Sequence, residues 1–270
     1  MKTVVITNHK GGCAKTTSAL NLAVTFALTG AHVLAIDLDP QGNLSASLGV
    51  DLQELEGTRL TSHRLMLDES GDFSSYKINV RPRLDIIGSC IDADAEALLD
   101  GQAVSRELLL KQKLAPAFPA YDYCIIDTPP SLRTPTLNAL AISDLTVVPI
   151  ESSMFALLGL TQLLRTIAKV RNAHAPNMLV MALSTIYSQR QNLDKAIRDK
   201  VIERFTEDFV FNTTIPRSVS IGEATATMQA VVEADKDSPA TFAFRKLSQE
   251  IKEVLTNEQE NETQTKRNTR

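Results

Sequence analysis

Along most of the chain, short runs dominated by valine, isoleucine and leucine alternate with longer stretches in which apolar residues recur every three to four positions. Runs that are apolar throughout, rather than at every second residue, read as strands covered on both faces and joined by crossover helices. The strand candidates are 3–7, 32–36, 84–87, 123–126, 145–150, 178–183 and, with the weakest pattern, 209–212. The helix candidates are 15–28, 104–114, 135–141, 157–171, 193–205 and 241–255. This interleaving predicts an α/β fold, a mainly parallel twisted sheet with helices on both faces in three layers, α/β/α. Gly30 suits the C-cap of the first helix. Residues 51–83 mix charge with Gly57, Gly71 and Ser74 and have little periodicity, so they read as an excursion from the core sheet. Residues 257–270, NEQENETQTKRNTR, contain no apolar residue, which predicts a disordered polar tail after a single domain over 1–256.

Composition narrows the setting. A chain of 270 residues with 43% hydrophobic content can bury a full core without staples. Cys13, Cys90 and Cys124 form no metal-ligand spacing and no disulfide framework, which fits a reducing compartment. The apolar run Val4–Ile6 is too short for a signal peptide or a membrane span, so a cytoplasmic protein is expected. Net charge is −4, which excludes a globally basic nucleic-acid binder and leaves only a local patch for such contacts.

The chemistry concentrates between the first strand and the first helix, in Lys10-Gly11-Gly12-Cys13-Ala14-Lys15-Thr16-Thr17. A glycine-rich turn that opens a helix offers inward-pointing N–H groups and the positive end of the helix dipole to a phosphate chain. Gly11 and Gly12 let the backbone approach, the Lys15 ammonium can reach β- and γ-oxygens, and the Thr16 hydroxyl can ligate Mg²⁺. The ordinary pattern G-x-x-x-x-G-K-[ST] fails twice, at His9 and Ala14. Alanine is expected to be tolerated at 14 if its φ is negative.

With its early lysine the loop matches the deviant form K-G-G-x-x-K-T-[ST], and here the chain resembles the ParA/MinD family of P-loop NTPases, closest to the partition and cargo-positioning ATPases, over roughly residues 2–255. The segment Asp37-Leu38-Asp39-Pro40-Gln41 resembles the family's D-x-D-P-Q, Ile125-Ile126-Asp127-Thr128-Pro129-Pro130 its I-I-D-x-P-P, and Ile215-Pro216-Arg217 its I-P-R. The resemblance implies ATP and Mg²⁺ as cofactors. It places Lys10 on the partner's phosphates across an ATP-dependent homodimer, with Lys15 and Asp39 as the other catalytic groups. Thr16, Asp37 and Asp127 would lie at the metal, and Pro216 and Arg217 beside the adenine. Without the resemblance, Lys10 reads as a solvated loop lysine and the two aspartates as helix caps.

The same resemblance implies slow hydrolysis, stimulated by a ParB-like or cargo-adaptor protein, and non-specific binding of ATP dimers to nucleoid DNA. Arg190, in Ser188-Gln189-Arg190-Gln191-Asn192-Leu193, matches a family region with a DNA-contacting arginine, and Lys195, Arg198, Arg245, Lys246 and Lys252 are further phosphate candidates. Asp194 with Arg198 and Lys195 with Asp199 are alternatively spaced as helix ion pairs. A membrane-binding helix would need apolar residues opposite a basic face, and 257–270 has none, so no membrane partner is expected. Two departures are visible: Ser220 stands where relatives often carry a second arginine, and Met154–Gly159 replaces a segment that commonly has two tyrosines and a glutamate. They keep open a nucleotide switch that acts on a membrane or a protein complex without touching DNA.

Overall fold

The computed structural model describes residues 1–69, 72–101, 106–153, 159–206 and 209–268, the side chains beyond 258 excepted. Strands β1 (Lys2–Ile6), β2 (Val33–Asp37), β3 (Lys77–Arg81), β4 (Leu84–Ile87), β5 (Tyr123–Asp127), β6 (Leu145–Glu151) and β7 (Leu179–Thr185) form one sheet in the order β3-β4-β2-β5-β1-β6-β7. Every pairing is parallel except β3 with β4. Alternation along the strands divides the core. Val4, Ile6, Val33, Ala35 and Ile125 face the layer that contains α1 (Lys15–Leu28) and the C-terminal helix, whereas Val5, Leu34, Ile36, Cys124 and Ile126 face the opposite layer. Both layers are closed by apolar stripes, which is why the strands show unbroken valine and isoleucine.

Between β2 and β3 lie four short helices, α2 (Asn43–Ser47), α3 (Leu52–Thr58), α4 (Ser62–Leu67) and α5 (Phe73–Tyr76). The last three are capped by Asp51, Thr61 and Asp72 through backbone N–H groups. The excursion expected over 51–83 is therefore built of capped turns and ends in an antiparallel edge strand, which pattern alone did not reveal because β3 is half exposed. Then come α6 (Ala93–Gly101), α7 (Leu109–Leu114), α8 (Thr134–Ala141), α9 (Leu160–His174), α10 (Asn192–Phe205), α11 (Val219–Ala226), α12 (Val231–Ala234) and α13 (Pro239–Asn268).

One expectation changes. The segment 209–212 is not a strand; Val210 makes a single parallel bridge to Ala182. The backbone of α13 runs to Asn268. Glu, Gln, Lys and Arg are good helix formers and no glycine or proline interrupts 257–268, so propensity extends the helix where no core can. Phe244, Leu247, Ile251 and Leu255 on its first half are buried in the α1 layer.

Candidate functional site

Parallel strands point their C-terminal ends to one edge, where an α/β sheet presents its ligand crevice. β2 and β5 are neighbours in register, with Asp37 opposite Asp127, so the two acidic motifs meet beside the loop that leaves β1. The cleft there has a volume of about 600 Å³ and is lined by Gly11, Gly12, Ala14, Lys15, Thr16, Thr17, Asp39, Gln41, Asn43 and Pro130 on one side and by Ile186, Ile215, Pro216, Arg217, Ser218, Ile221 and Gly222 on the other. All four expected segments thus contribute directly.

The floor is the start of α1. Ser18 N–H is the first to bond within the helix, to Ala14 O at 3.0 Å, so the preceding N–H groups face the cleft. There is no acidic residue in the first turn to neutralise the helix dipole. Gly12 has φ 75° and Ala14 has φ 67°. The negative φ expected at Ala14 is therefore not found: closing the loop over the helix end demands the left-handed region, which costs a non-glycine residue about 1–2 kcal/mol. Cys13 departs too. Its side chain is buried, its Sγ lies 3.2 Å from Lys10 O, and it does not line the cleft, while burial pushes its thiol pKa up. Only its backbone takes part, with Cys13 O accepting from Thr185 Oγ1 at 3.0 Å.

The two lysines diverge. Lys15 is buried and its Nζ donates to Lys10 O at 3.2 Å, which holds the ammonium over the loop. Lys10 does not line the cleft; its Nζ pairs with Glu151 and lies 2.9 Å from Ser153 Oγ at the end of β6. Glu151 and Ser153 gave no signal in the sequence. Behind Lys10, a Cβ on Gly159 would fall 1.8 Å from His9 Nε2, so the residue that replaces the first loop glycine rests against a glycine at the start of α9. Met154–Leu158 of the divergent segment lie outside the described residues.

Among the acids, Asp127 is fully buried, accepts Thr16 Oγ1 on Oδ2 at 2.6 Å, and has no partner for Oδ1 among the described residues. Burial and then the neighbouring Asp37 push its pKa well up. A hydroxyl beside a half-satisfied buried carboxylate suits Mg²⁺, which takes few protein ligands and completes its shell with water and phosphate oxygens. Among the described residues no group of three His, Cys, Asp or Glu side chains is placed to hold a metal ion. Asp39 lines the cleft with Oδ1 on the Gln41 N–H at 3.0 Å. Asp37 does not reach the cleft, contrary to its expected place at the metal. Its Oδ2 accepts Ser45 N–H at 2.9 Å and Ser45 Oγ at 2.8 Å, and its Oδ1 accepts Asp39 N–H at 3.1 Å, so it shapes the turn into α2.

The far wall is apolar. Ile186, Ile215, Pro216 and Ile221 form a slot suited to a flat base, with Arg217 exposed at its rim. Ile186 has φ 53°, uncommon for a β-branched residue and the kind of local strain found at binding sites. Gln41 comes with the D-x-D-P-Q segment, whereas Ile186, Asn43 and Ile221 were not singled out in the sequence, because none belongs to a motif and the fold alone gathers them.

The basic candidates are scattered. Arg190, Lys195, Arg245 and Lys246 are exposed. Arg198 is not free: it donates to Ser184 Oγ and to Phe211 O, both at 3.0 Å, and so ties α10 to β7. The Asp194–Arg198 ion pair is absent, since Asp194 is buried and accepts Ser188 N–H at 2.7 Å. Lys252 leans over the Phe26 ring at 5.5 Å and donates to Thr29 Oγ1 at 3.2 Å.

A protein-family model described as an AAA domain matches residues 1–180. The sporulation initiation inhibitor protein Soj of Bacillus subtilis is 34% identical over 251 residues, covering 93% of this chain and 98% of Soj. The chromosome partitioning protein ParA of Caulobacter vibrioides is 34% identical over 254 residues, covering 93% and 94%. In structure, cobyrinic acid a,c-diamide synthase from Mycobacterium smegmatis with bound ADP and magnesium superposes with a TM-score of 0.79 at 30% identity over 92% of each chain. The shared architecture thus serves differently named proteins. With the loop, both acidic strand ends and the base slot in place, and with relatives of this extent, the chain belongs to the ParA/Soj family of P-loop ATPases.

Proposed function

We propose that the chain is an ATP-driven positioning switch: ATP and Mg²⁺ bring two copies together, the dimer binds DNA without regard to sequence, and a partner protein speeds a slow hydrolysis that releases it. The cargo is a plasmid, a chromosome or a protein complex. The observation that carries this is the position of Lys10. It lies outside the residues that line the chain's own cleft, and its ammonium pairs with the partly exposed Glu151 and Ser153. A cation so placed is poised for phosphates that arrive from outside, as in a second copy, and the bond to a triphosphate forms only when two subunits meet.

Within one cleft, the α1 N–H groups and Lys15 hold the phosphates, and Thr16 with Asp127 would hold Mg²⁺. The metal, when bound, neutralises phosphate charge. Asp39 orients the attacking water, and the phosphoryl transition state needs such positioning more than a strong base. Among the described residues no helix is long and apolar enough to cross a membrane, and the apolar face of α13 is consumed by the core.

The test is DNA binding with ATP against ADP across a salt series. We expect binding only with ATP and Mg²⁺, with log K falling against log salt by about 0.9 per phosphate neutralised, and Asp39→Ala trapped in the DNA-bound dimer. Absence of ATP-dependent DNA binding at low salt rejects the reading. One observation favours a second reading, a switch on a protein complex without DNA. Beside Ser220 the exposed side chain is apolar, with Val219 77% exposed. Nucleotide-dependent dimers that ignore DNA at every salt concentration would support it.

A further inference from the structure

Behind the catalytic carboxylate lies a second, much smaller cavity of about 40 Å³, lined by Pro40, His63, Glu96, Asp100, Pro129, Ser131, Arg133 and Pro135. Consecutive residues face opposite sides of one thin partition. Asp39 and Pro130 look into the nucleotide cleft, while Pro40 and Pro129 wall the small cavity. Whatever occupies the small cavity therefore touches both loops that carry the acidic motifs.

One wall of the cavity is an incomplete buried group. His63 on α4 is 1% exposed, and its Nε2 has no partner among the described residues. Its Nδ1 lies 3.3 Å from Ser89 Oγ. If the Ser89 hydroxyl donates to Nδ1, the ring N–H falls on Nε2 of a side chain that lines the cavity. Burial keeps this imidazole neutral, with its pKa lowered to about 4. Opposite stand the carboxylates of Glu96 and Asp100. Asp100 is engaged by Thr134 Oγ1 and Arg133, both at 3.1 Å. Glu96 is partly buried, its pKa raised by burial first and by the nearby Asp100, Asp39 and Asp92, with Arg133 opposing. A buried N–H without a partner is costly, and a void that exceeds the roughly 10–15 Å³ needed for one water and has polar side chains among its walls can hold water that completes such groups.

We propose that this cavity is a hydration site, in which ordered water accepts from His63 Nε2–H and donates to Glu96, and that Glu96 is a positioning residue for hydrolysis, bracing the Asp39-Pro40 loop against the Pro129-Pro130 loop. The brace is anchored at its base. Ser62 Oγ donates to Asp37 O at 2.5 Å and Ser62 N–H to Gly88 O at 2.8 Å, which fixes the start of α4 to the strand ends. Ser89 N–H donates to Ser45 Oγ at 2.9 Å, the same hydroxyl that serves Asp37, so the line from Asp37 through Ser45 and Ser89 to His63 is continuous. Gly42 closes it tightly: at φ 64°, a Cβ there would lie 2.6 Å from Ser89 O.

The inference rests on the ATPase reading above, and its experiment separates the two. Asparagine retains a polar atom near the Nδ1 position, glutamine one near Nε2. Glu96→Leu and His63→Asn should each lower kcat about tenfold with KM for ATP nearly unchanged, since loop misplacement acts on the chemical step, whereas Glu96→Gln, which keeps an acceptor, and His63→Gln should keep most of the wild-type rate. The double variant Glu96→Leu/His63→Asn should be no slower than either single, because both act through one water. Additive losses, a parallel rise in KM, or the reverse order for the two His63 variants would overturn the proposal. If the wild-type protein hydrolyses no ATP under any condition, the ATPase reading fails instead. The hydration site is then still judged by a high-resolution structure of the nucleotide-free protein: water within hydrogen-bond distance of both His63 Nε2 and Glu96 supports it, and an empty cavity refutes it.

Discussion

The nucleotide end of the sheet and the exposed faces of α10 and α13 use charge in opposite ways. At the first, Lys15, Asp39 and Asp127 are buried, and each is held by a hydroxyl, a backbone group or a strand end. At the second, Lys195, Arg245 and Lys246 stand exposed on helices, and Arg245 leans on the Phe242 ring at 5.9 Å. A compact, highly charged ligand strips water from its site, so the groups that meet it must be organised beforehand. A repeating polyanion is met at the solvent boundary, where each cation contributes singly and its placement is loosely constrained. Geometry defines the first region; only accumulated charge defines the second.

The largest effect that would sharpen this contrast is Lys15→Ala. Removal of a preorganised buried cation should weaken nucleotide binding by at least about 100-fold, equivalent to about 3 kcal/mol, in a titration with a fluorescent ATP analogue. Retention of near-normal affinity would break the comparison at its stronger side. Next come the two arginines that the sequence placed together. Arg190→Glu should reduce ATP-dependent DNA affinity by about tenfold and flatten the salt slope, with dimerisation and melting unchanged. Arg198→Ala should destabilise the fold by about 1–3 kcal/mol, through the loss of charge-assisted bonds to Ser184 and Phe211, and leave DNA affinity intact below the melting transition. An exchange of those two outcomes would make the α10 surface as organised as the nucleotide site. The smallest change is Ala14→Gly, which relieves the left-handed strain and should stabilise the nucleotide-free protein by about 1 kcal/mol, or a few degrees in melting temperature. A loss of stability there would mean that the loop is not strained.

What could be read from the chain in advance follows the same division. Short-range constraints leave a sequence trace: Gly11-Gly12 before Lys15, Asp39 at the end of an apolar run, Asp127 at the end of another. Long-range partners leave none. Glu151 is 141 residues from Lys10, and Gly159 meets His9 only because α9 begins beside the loop. Helix 192–205 was visible from its spacing, yet the use of Arg198 as a tie to β7 was not, because a basic residue on a helix reads alike whether it points to solvent or to a carbonyl. The half-exposed β3 escaped for a related reason, since hydrophobic periodicity reports burial and this segment buries little.

By itself, then, the sequence determined the parallel sheet, the layer arrangement and the phosphate loop, all of which arise from local patterns of apolar residues, glycines and strand-end acids. Tertiary structure alone decided that Asp37 builds a turn while Asp127 and Thr16 share a hydrogen bond, that Ala14 takes a left-handed φ, and that Lys10 turns outward to Glu151. Each of those outcomes depends on which groups distant in the chain arrive within about 3 Å, the range at which hydrogen bonds act, and that range is set only when the sheet closes.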